Sequence, residues 1–507
     1  MRTLRCAVAA GWMFAVLACA AVVVSNASPS PSPALAAPAE SDVAAPLAVT
    51  PSWRSSIQVH NVDTVTGTVQ VVYYSRSGGD AIQATNPGPV ELAPGRSVIY
   101  YPYNDSALPN GWTGSAEVLS DVRVRVSSST TSSNVRAKGM YNGIPKDDWD
   151  DGTASTLSVP LVKNNWASMS SSIYVQNASD SPMTVTITYR GGSQTPGGPY
   201  IFTDSSLLQP GFAREYRPSQ ANGLPGTFLG SAVVTNSTGG AMAVVYDDKY
   251  SDATSVLLSG GGFKSDASGT TLYAPLVKKA YQNYRTSINI QNVGRAPTRV
   301  RVTYRSAVTG QAYTSAVCGG SEYVQPSALL VCRQYTEPDS ALPSSFYGAA
   351  TITSLDGEPI VAIVNETVYS GPLMMTANEA FPAGRGSDRV VFPVYKNWYQ
   401  GSVSGVMIQN IGSAPTRLQG VYVDARTGVQ YVATQNTGYL QPGASAKFKD
   451  EPILPGTLCR FSCGDSGFLG ALTVRSLDGQ PIVGMINEQD RAGDTDLMSA
   501  PGLNVPD

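Results

Sequence analysis

Few residues in this chain have types and spacings that could do chemistry. One histidine, His60, is present, so any histidine-based triad or multi-histidine metal site would have to use it. Yet His60 fills a slot held by Gln176, Gln291 and Gln409 further along. That makes it a polar strand-end residue rather than a general base. A pair of carboxylates could serve as acid and base on a glycosidic bond. Glu366 and Glu488 recur at equivalent places, with Asp248 at a third. A residue repeated in this way serves a fold or a repeated interface more readily than an active site. The run Asp147-Asp148-Trp149-Asp150-Asp151-Gly152 clusters carboxylates of the kind Ca²⁺ takes, in a spacing that matches no EF-hand loop. A solvated linker is the competing reading. No Gly-rich phosphate loop, Gly-x-Ser-x-Gly elbow or His-Glu-x-x-His motif occurs. The expectation is a non-enzymatic chain, with Ca²⁺ at Asp147, Asp148, Asp150 and Asp151 the one cofactor the sequence offers.

Binding is the remaining chemistry. Trp166, Tyr281 and Tyr399 each stand 11 residues before a recurring Asn, with Trp398 and Tyr284 nearby and Trp53 close to the same place in the first copy. Such aromatics could stack on sugar rings or on a partner protein. Alternatively, each covers the end of its own module. Four cysteines, Cys318, Cys332, Cys459 and Cys463, lie outside the leader, which holds Cys6 and Cys19. An even number in an exported chain points to two disulfides, and the local pairs 318–332 and 459–463 are the simplest.

The elements that must position these groups repeat four times. Strands end in Asn61, Asn177, Asn292 and Asn410, at intervals of 116, 115 and 118 residues. A Pro-apolar opening precedes each, at Pro46-Leu47, Pro160-Leu161, Pro275-Leu276 and Pro393-Val394. A second strand ends at Tyr73, Tyr189, Tyr304 and Tyr422, followed by turns at Pro94-Gly95, Pro210-Gly211, Pro326-Ser327 and Pro442-Gly443. A Gly opens a further strand at Gly114, Gly230, Gly348 and Gly470. The last strand is expected to meet a polar stop at Asn142, Asp247, Asn365-Glu366 and Asn487-Glu488. Thr184 to Tyr189 alternates polar and apolar residues, the period of a half-buried strand. Closely spaced strands with Pro/Gly turns imply a sandwich or small barrel of six to eight strands.

The fold class is therefore all-β, with four tandem modules after an N-terminal signal segment. The divisions are a signal and Ser/Pro-rich leader over 1–36, then modules over 46–152, 153–266, 267–387 and 388–500. Each module is large enough to bury its own core, so the modules are expected to fold as beads. The pattern resembles bacterial extracellular immunoglobulin-like modules, including the cell-adhesion-related kind, most closely over Ile288 to Tyr304 and Ile173 to Gly211. That resemblance implies four tandem immunoglobulin-like β-sandwich modules, and a spacer, an adhesive unit or an envelope-surface protein.

The leader begins with Arg2 and Arg5, continues with the apolar run Cys6 to Val24 and reaches Ser/Pro-rich chain, the order of a secretory signal. An uncleaved anchor or a lipoprotein site at Cys19 are the rivals. With 14% charged residues and a net charge of −3, nothing draws the chain to nucleic acid or to an anionic membrane. The partners expected are a cell-envelope component, an extracellular glycan or other copies of the chain. The location expected is extracellular or at the cell surface.

Overall fold

The computed structural model describes residues 53–132, 138–145, 153–250, 257–264, 267–368, 374–434, 438–449, 453–455, 467–490 and 497–504. Among them the regular elements are β-strands and short 3₁₀ turns, with no α-helix. The chain is all-β and is built of four tandem immunoglobulin-like sandwiches.

Module 2 shows the plan. One sheet orders Tyr200–Leu208, Met183–Gly191, Phe228–Asn236 and Thr156–Asn164. The facing sheet orders Ala213–Tyr216, Met169–Asn177, Met242–Tyr250 and Leu257–Gly261. Along Met183–Gly191 the buried residues are Met183, Val185, Ile187, Tyr189 and Gly191, and the Thr residues between them are half-buried. Alternation of this kind puts one face of a strand in the core, where each large apolar side chain contributes about 1.5–3 kcal/mol. Modules 3 and 4 repeat the plan; in module 4 pairing of Asn397 with Val403 joins the two sheets into one.

Each landmark of the repeat has a physical role. Asn177 is fully buried and donates from Nδ2 to the carbonyls of Ser181 (2.9 Å) and Leu208 (2.8 Å). Its Oδ1 accepts from the Ser179 amide at 2.9 Å. Asn61, Asn292 and Asn410 repeat both donations, to Val65 and Leu92, Ala296 and Val324, and Ala414 and Leu440. Only an amide offers two donors and an acceptor in so short a side chain. The Asn thus ties the end of its strand to the residue that opens the Pro-Gly turn. That turn needs a left-handed residue, φ +70° at Gly95, +82° at Gly211 and +74° at Gly443, and Ser327 takes it at +61°. The four Tyr side chains, Tyr73, Tyr189, Tyr304 and Tyr422, lie in the cores.

A lysine on each opening strand crosses the sandwich to an acid on the penultimate strand: Lys163–Asp248 at 2.8 Å, Lys278–Glu366 at 2.6 Å and Lys396–Glu488 at 2.7 Å. In module 1 the matching position is Thr130, which pairs with Ser55 as Asp248 pairs with Ser171 and Glu366 with Thr286. The polar stop expected at Asn142 is therefore displaced. Asn142 lies on the last strand, Lys138–Asn142, opposite Ser127. The Ser/Thr-rich penultimate strand of module 1, Val124–Ser132, offers no acid to mark the register.

From Lys to the Asn strand, modules 2 to 4 use a five-residue turn. The second, fourth and fifth residues are left-handed: Asn165, Ala167 and Ser168; Ala280, Gln282 and Asn283; Trp398, Gln400 and Gly401. In module 3 the Cys318–Cys332 disulfide joins strands Ala312–Val324 and Leu329–Arg333 of opposite sheets. Cys459 and Cys463 lie outside the described residues.

The modules pack on one another. The Gln before each Asn reaches back to the preceding module: Gln176 to the Ala116 carbonyl (3.4 Å), Gln291 to Ala232 (3.3 Å) and Gln409 to Ala350 (3.5 Å). Leu161 of module 2 joins one buried cluster with Val361 and Ile363 of module 3, and Leu276 of module 3 joins another with Met407 and Met485 of module 4. Module 4 then meets module 1. Gln58 donates to the Pro393 carbonyl, Arg96 to Ala425 (3.2 Å), Arg125 to Asn504 (3.2 Å) and Asn142 to Pro501 (2.7 Å). The last strands touch in cyclic order: Lys138–Asn142, Leu257–Gly261, Met375–Glu379, Leu497–Pro501 and back to Lys138–Asn142. Four modules close into a ring, and Val49–Asp507 is one compact unit. The physical reason is the outward apolar face of each opening strand. Leu161 and Leu276 would be exposed on a lone module and are covered by the next one.

Candidate functional site between the first two modules

Module 1 departs from the plan at one edge. Among the described residues, its Gly strand, Gly114–Ser120, pairs only with Gly67–Ser75. In the other modules the opening strand lies on the far side of the Gly strand. The consequence shows in burial. Ala116, Val118, Val124 and Val126 are only partly buried. Their counterparts Ala232, Val234, Met242 and Val244 are at most 1% exposed.

A cleft of about 2060 Å³ runs along this edge and reaches modules 3 and 4 as well, with Ala377–Pro382 and Pro501–Asn504 in its lining. One wall is the Gly strand and last strand of module 1; the other is the outer face of module 2, with Tyr174, Gln176, Val245, Asp247 and Lys249. These residues point outward because their strand neighbours Ile173, Val175, Val244 and Tyr246 take the core face.

The cleft mixes aromatic rings and charges. Trp53 and Tyr103 are 38% and 47% exposed. The Lys249 ammonium lies 5.6 Å from the Trp53 ring centre and 5.8 Å from that of Tyr174, and the Arg54 guanidinium 5.1 Å from that of Tyr103. Such cation–π contacts draw the rings toward the charges. Asp247 accepts from Ser259 Oγ at 2.5 Å and lies 3.7 Å from Lys249 Nζ. Burial raises the Asp247 carboxyl above its usual range, against the pull of Lys249 and Ser259. Lys249 also donates to the Tyr174 hydroxyl at 3.2 Å. Across the cleft, Glu215 of module 2 accepts from Arg76 of module 1 at 2.9 Å, from Arg217 at 3.0 Å and from Ser172 at 2.7 Å. Burial alone would raise Glu215; Ser172, Arg217 and Arg76 outweigh it and hold the carboxylate below its ordinary range. The arrangement suits an extended ligand with both polar and apolar groups.

Of the aromatics singled out in the sequence, Trp53 lines the cleft and the others fall elsewhere. Trp166 packs, half-buried, on the core of module 2. Tyr281 stacks on Tyr347 of its own module, 4.9 Å between ring centres and 22° between planes. Tyr399 lies under the Arg426 guanidinium of its own module at 5.6 Å, in the same turn as Trp398. The structure distributes these four over three separate turns, away from the cleft. Asp248, Glu366 and Glu488 are the acids of the lysine pairs. Asp147, Asp148, Asp150 and Asp151 lie outside the described residues. Among the described residues, no group of three or more His, Cys, Asp or Glu could hold a metal ion. His60 is buried beside Ser97, with Nδ1 and Oγ 2.9 Å apart. Tyr174 and Lys249 escape sequence reasoning because only the packing of one module on the next brings them to a cleft.

No family model matches the chain, and no curated protein matches it. Among solved structures, one titled "Crystal structure of tetra-tandem repeat in extending region of large adhesion protein" is 12% identical to it. The match covers 89% of this chain and 99% of that one at a TM-score of 0.10, too low for fold or function to be carried across.

Proposed function

We propose that the chain is an exported, non-enzymatic adhesive or structural protein whose contact surface is the cleft between modules 1 and 2. The observation that supports this reading is where the polar residues go. The repeated acids are held by lysines and the repeated Asn and Gln side chains by backbone carbonyls, while the cleft presents the exposed rings of Trp53 and Tyr103. No helix among the described residues is long and apolar enough to cross a membrane.

A pulldown of the purified chain with envelope from the producing cells, with and without chelator, tests the reading. Retention that weakens on Arg76→Ala supports the cleft, and loss on chelation points to Asp147–Asp151. No retention under either condition sinks the adhesive reading. A second reading, glycan binding, is favoured by the exposed rings of Trp53 and Tyr103. It expects saturable glycan binding that Trp53→Ala abolishes and Trp166→Ala leaves unchanged. Turnover of a polysaccharide by the purified chain would instead make it an enzyme.

A further inference from the structure

We propose that His60 is an acid-released latch on the seam between modules 4 and 1, so that the ring opens at that seam before any other as pH falls. Modules 1 and 4 stand first and last in chain order, so this seam alone is crossed by no connecting chain. The other three seams are tethered by the polypeptide and share a glutamine. Gln176, Gln291 and Gln409 each donate from Nε2 to a carbonyl of the preceding module and to the carbonyl of their own turn, Gly211 (2.9 Å), Ser327 (3.5 Å) and Gly443 (3.2 Å). An amide stays neutral in acid. In module 1 the same slot holds an imidazole, which gains a charge near neutral pH when it is in water.

His60 faces that seam. Along Trp53–Asn61 the side chains of Ile57 and Val59 enter the core of module 1, so Gln58 and His60 share the outward face. Module 4 covers that face. Gln58 and His60 are 4% and 3% exposed, and Gln58 donates to the Pro393 carbonyl on the opening strand of module 4. Opposite His60 on the two flanking strands stand Ser97 and Arg125. Arg125, and Arg96 next to Ser97, both donate to backbone carbonyls of module 4, Arg125 to Asn504 and Arg96 to Ala425 and Arg426. The imidazole is thus sealed among the groups that close the ring.

A positive charge is unfavourable in that place. The charged groups on the segments that meet there are Arg96 and Arg125 of module 1 and Asp388, Arg389, Asp424 and Arg426 of module 4, four cations against two acids. Asp424 is already held by Arg426 at 3.3 Å. Burial lowers the imidazole from 6.5 to about 4, and its bond to the Arg96 backbone offsets only part of this. Once the seam opens, the imidazole reaches water and regains its ordinary value. The closed-ring value lies below the open one, so proton uptake favours the open seam as pH falls from 6.5 toward 4.

Methionine oxidation of the full chain by hydrogen peroxide, mapped by peptide mass spectrometry at about pH 6.5 and about pH 4.5, tests the latch. A thioether has no proton to gain or lose in this range, so its rate reports access. Met140 of module 1 is 3% exposed and packs into the core cluster of module 4. Met407 and Met485 lie in the cluster between modules 3 and 4, where Gln409 holds the slot. Met140 should oxidise at least about tenfold faster at the lower pH, with Met407 and Met485 unchanged. The acceleration should vanish in a His60→Gln chain, which carries the residue of the other three slots. Equal protection of Met140 at both pH values overturns the proposal. The same acceleration in the His60→Gln chain overturns it too, because carboxylates would then be the trigger. So does acceleration of Met140, Met407 and Met485 together, which would be unfolding of the whole ring and not release of one seam.

Discussion

Buried Lys278 and Glu366 are 2.6 Å apart, with side chains 11% and 2% exposed. Removal of one partner leaves a charge without its counter-charge inside the sandwich. Lys278→Ala should cost about 3–5 kcal/mol in denaturant unfolding, whereas the double variant Lys278→Met, Glu366→Leu should be near neutral. A small loss in the single variant would mean that water reaches the pair. His60 is the other residue with a clear cost. Burial lowers its imidazole from 6.5 to about 4. Its folded value lies below its unfolded one, so the unfolded chain takes up the extra proton between them. Stability present above pH 6.5 is therefore lost as pH falls toward 4, by up to about 3 kcal/mol. His60→Gln, the residue of the other three modules, should flatten that part of the stability profile measured by urea titration. An unchanged slope would mean that His60 is not the group responsible.

At the level of strands and turns, much was legible from the sequence because the landmarks are the hydrogen-bonding nodes. Asn177 and Leu208 recur in step since one bonds the other, and Gly211 recurs because its turn is left-handed. The register of module 1 was not legible. Its penultimate strand has Thr130 where an acid marks the others, so Asn142, one strand later, took the acid's place in the pattern. The cleft was hidden for a different reason. Tyr174 and Lys249 have ordinary strand neighbours, and only the neighbouring module gives them a function. The Cys318–Cys332 pair was legible from locality alone, and it spans 14 positions. A loop of that size should restrict the unfolded chain by about 3 kcal/mol in the loop-entropy account. Cys318→Ala with Cys332→Ala should lower the thermal midpoint accordingly; a midpoint equal to that of the parent would show that the link stabilises nothing.

Closure changes what stability means for the whole molecule. A string of beads would melt module by module, whereas a ring with each module covering the next should melt together. Calorimetry should therefore give one transition, and Arg96→Ala, which removes bonds to Ala425 and Arg426 at the module 4–1 seam, should lower stability by about 1–2 kcal/mol. Four resolved transitions would argue that the seams are energetically idle. The ring escaped sequence reasoning because the seam glutamines Gln176, Gln291 and Gln409 read as strand ends, and the module 4–1 seam uses residues outside the repeat, Gln58, Arg96 and Met140. The cyclic contact of the four last strands also bears on descent. In an open array, a duplicated or deleted unit merely lengthens or shortens the chain. Here four copies close the path, so a fifth would not fit and three alone would leave a gap. Copy number is thereby fixed at four by geometry.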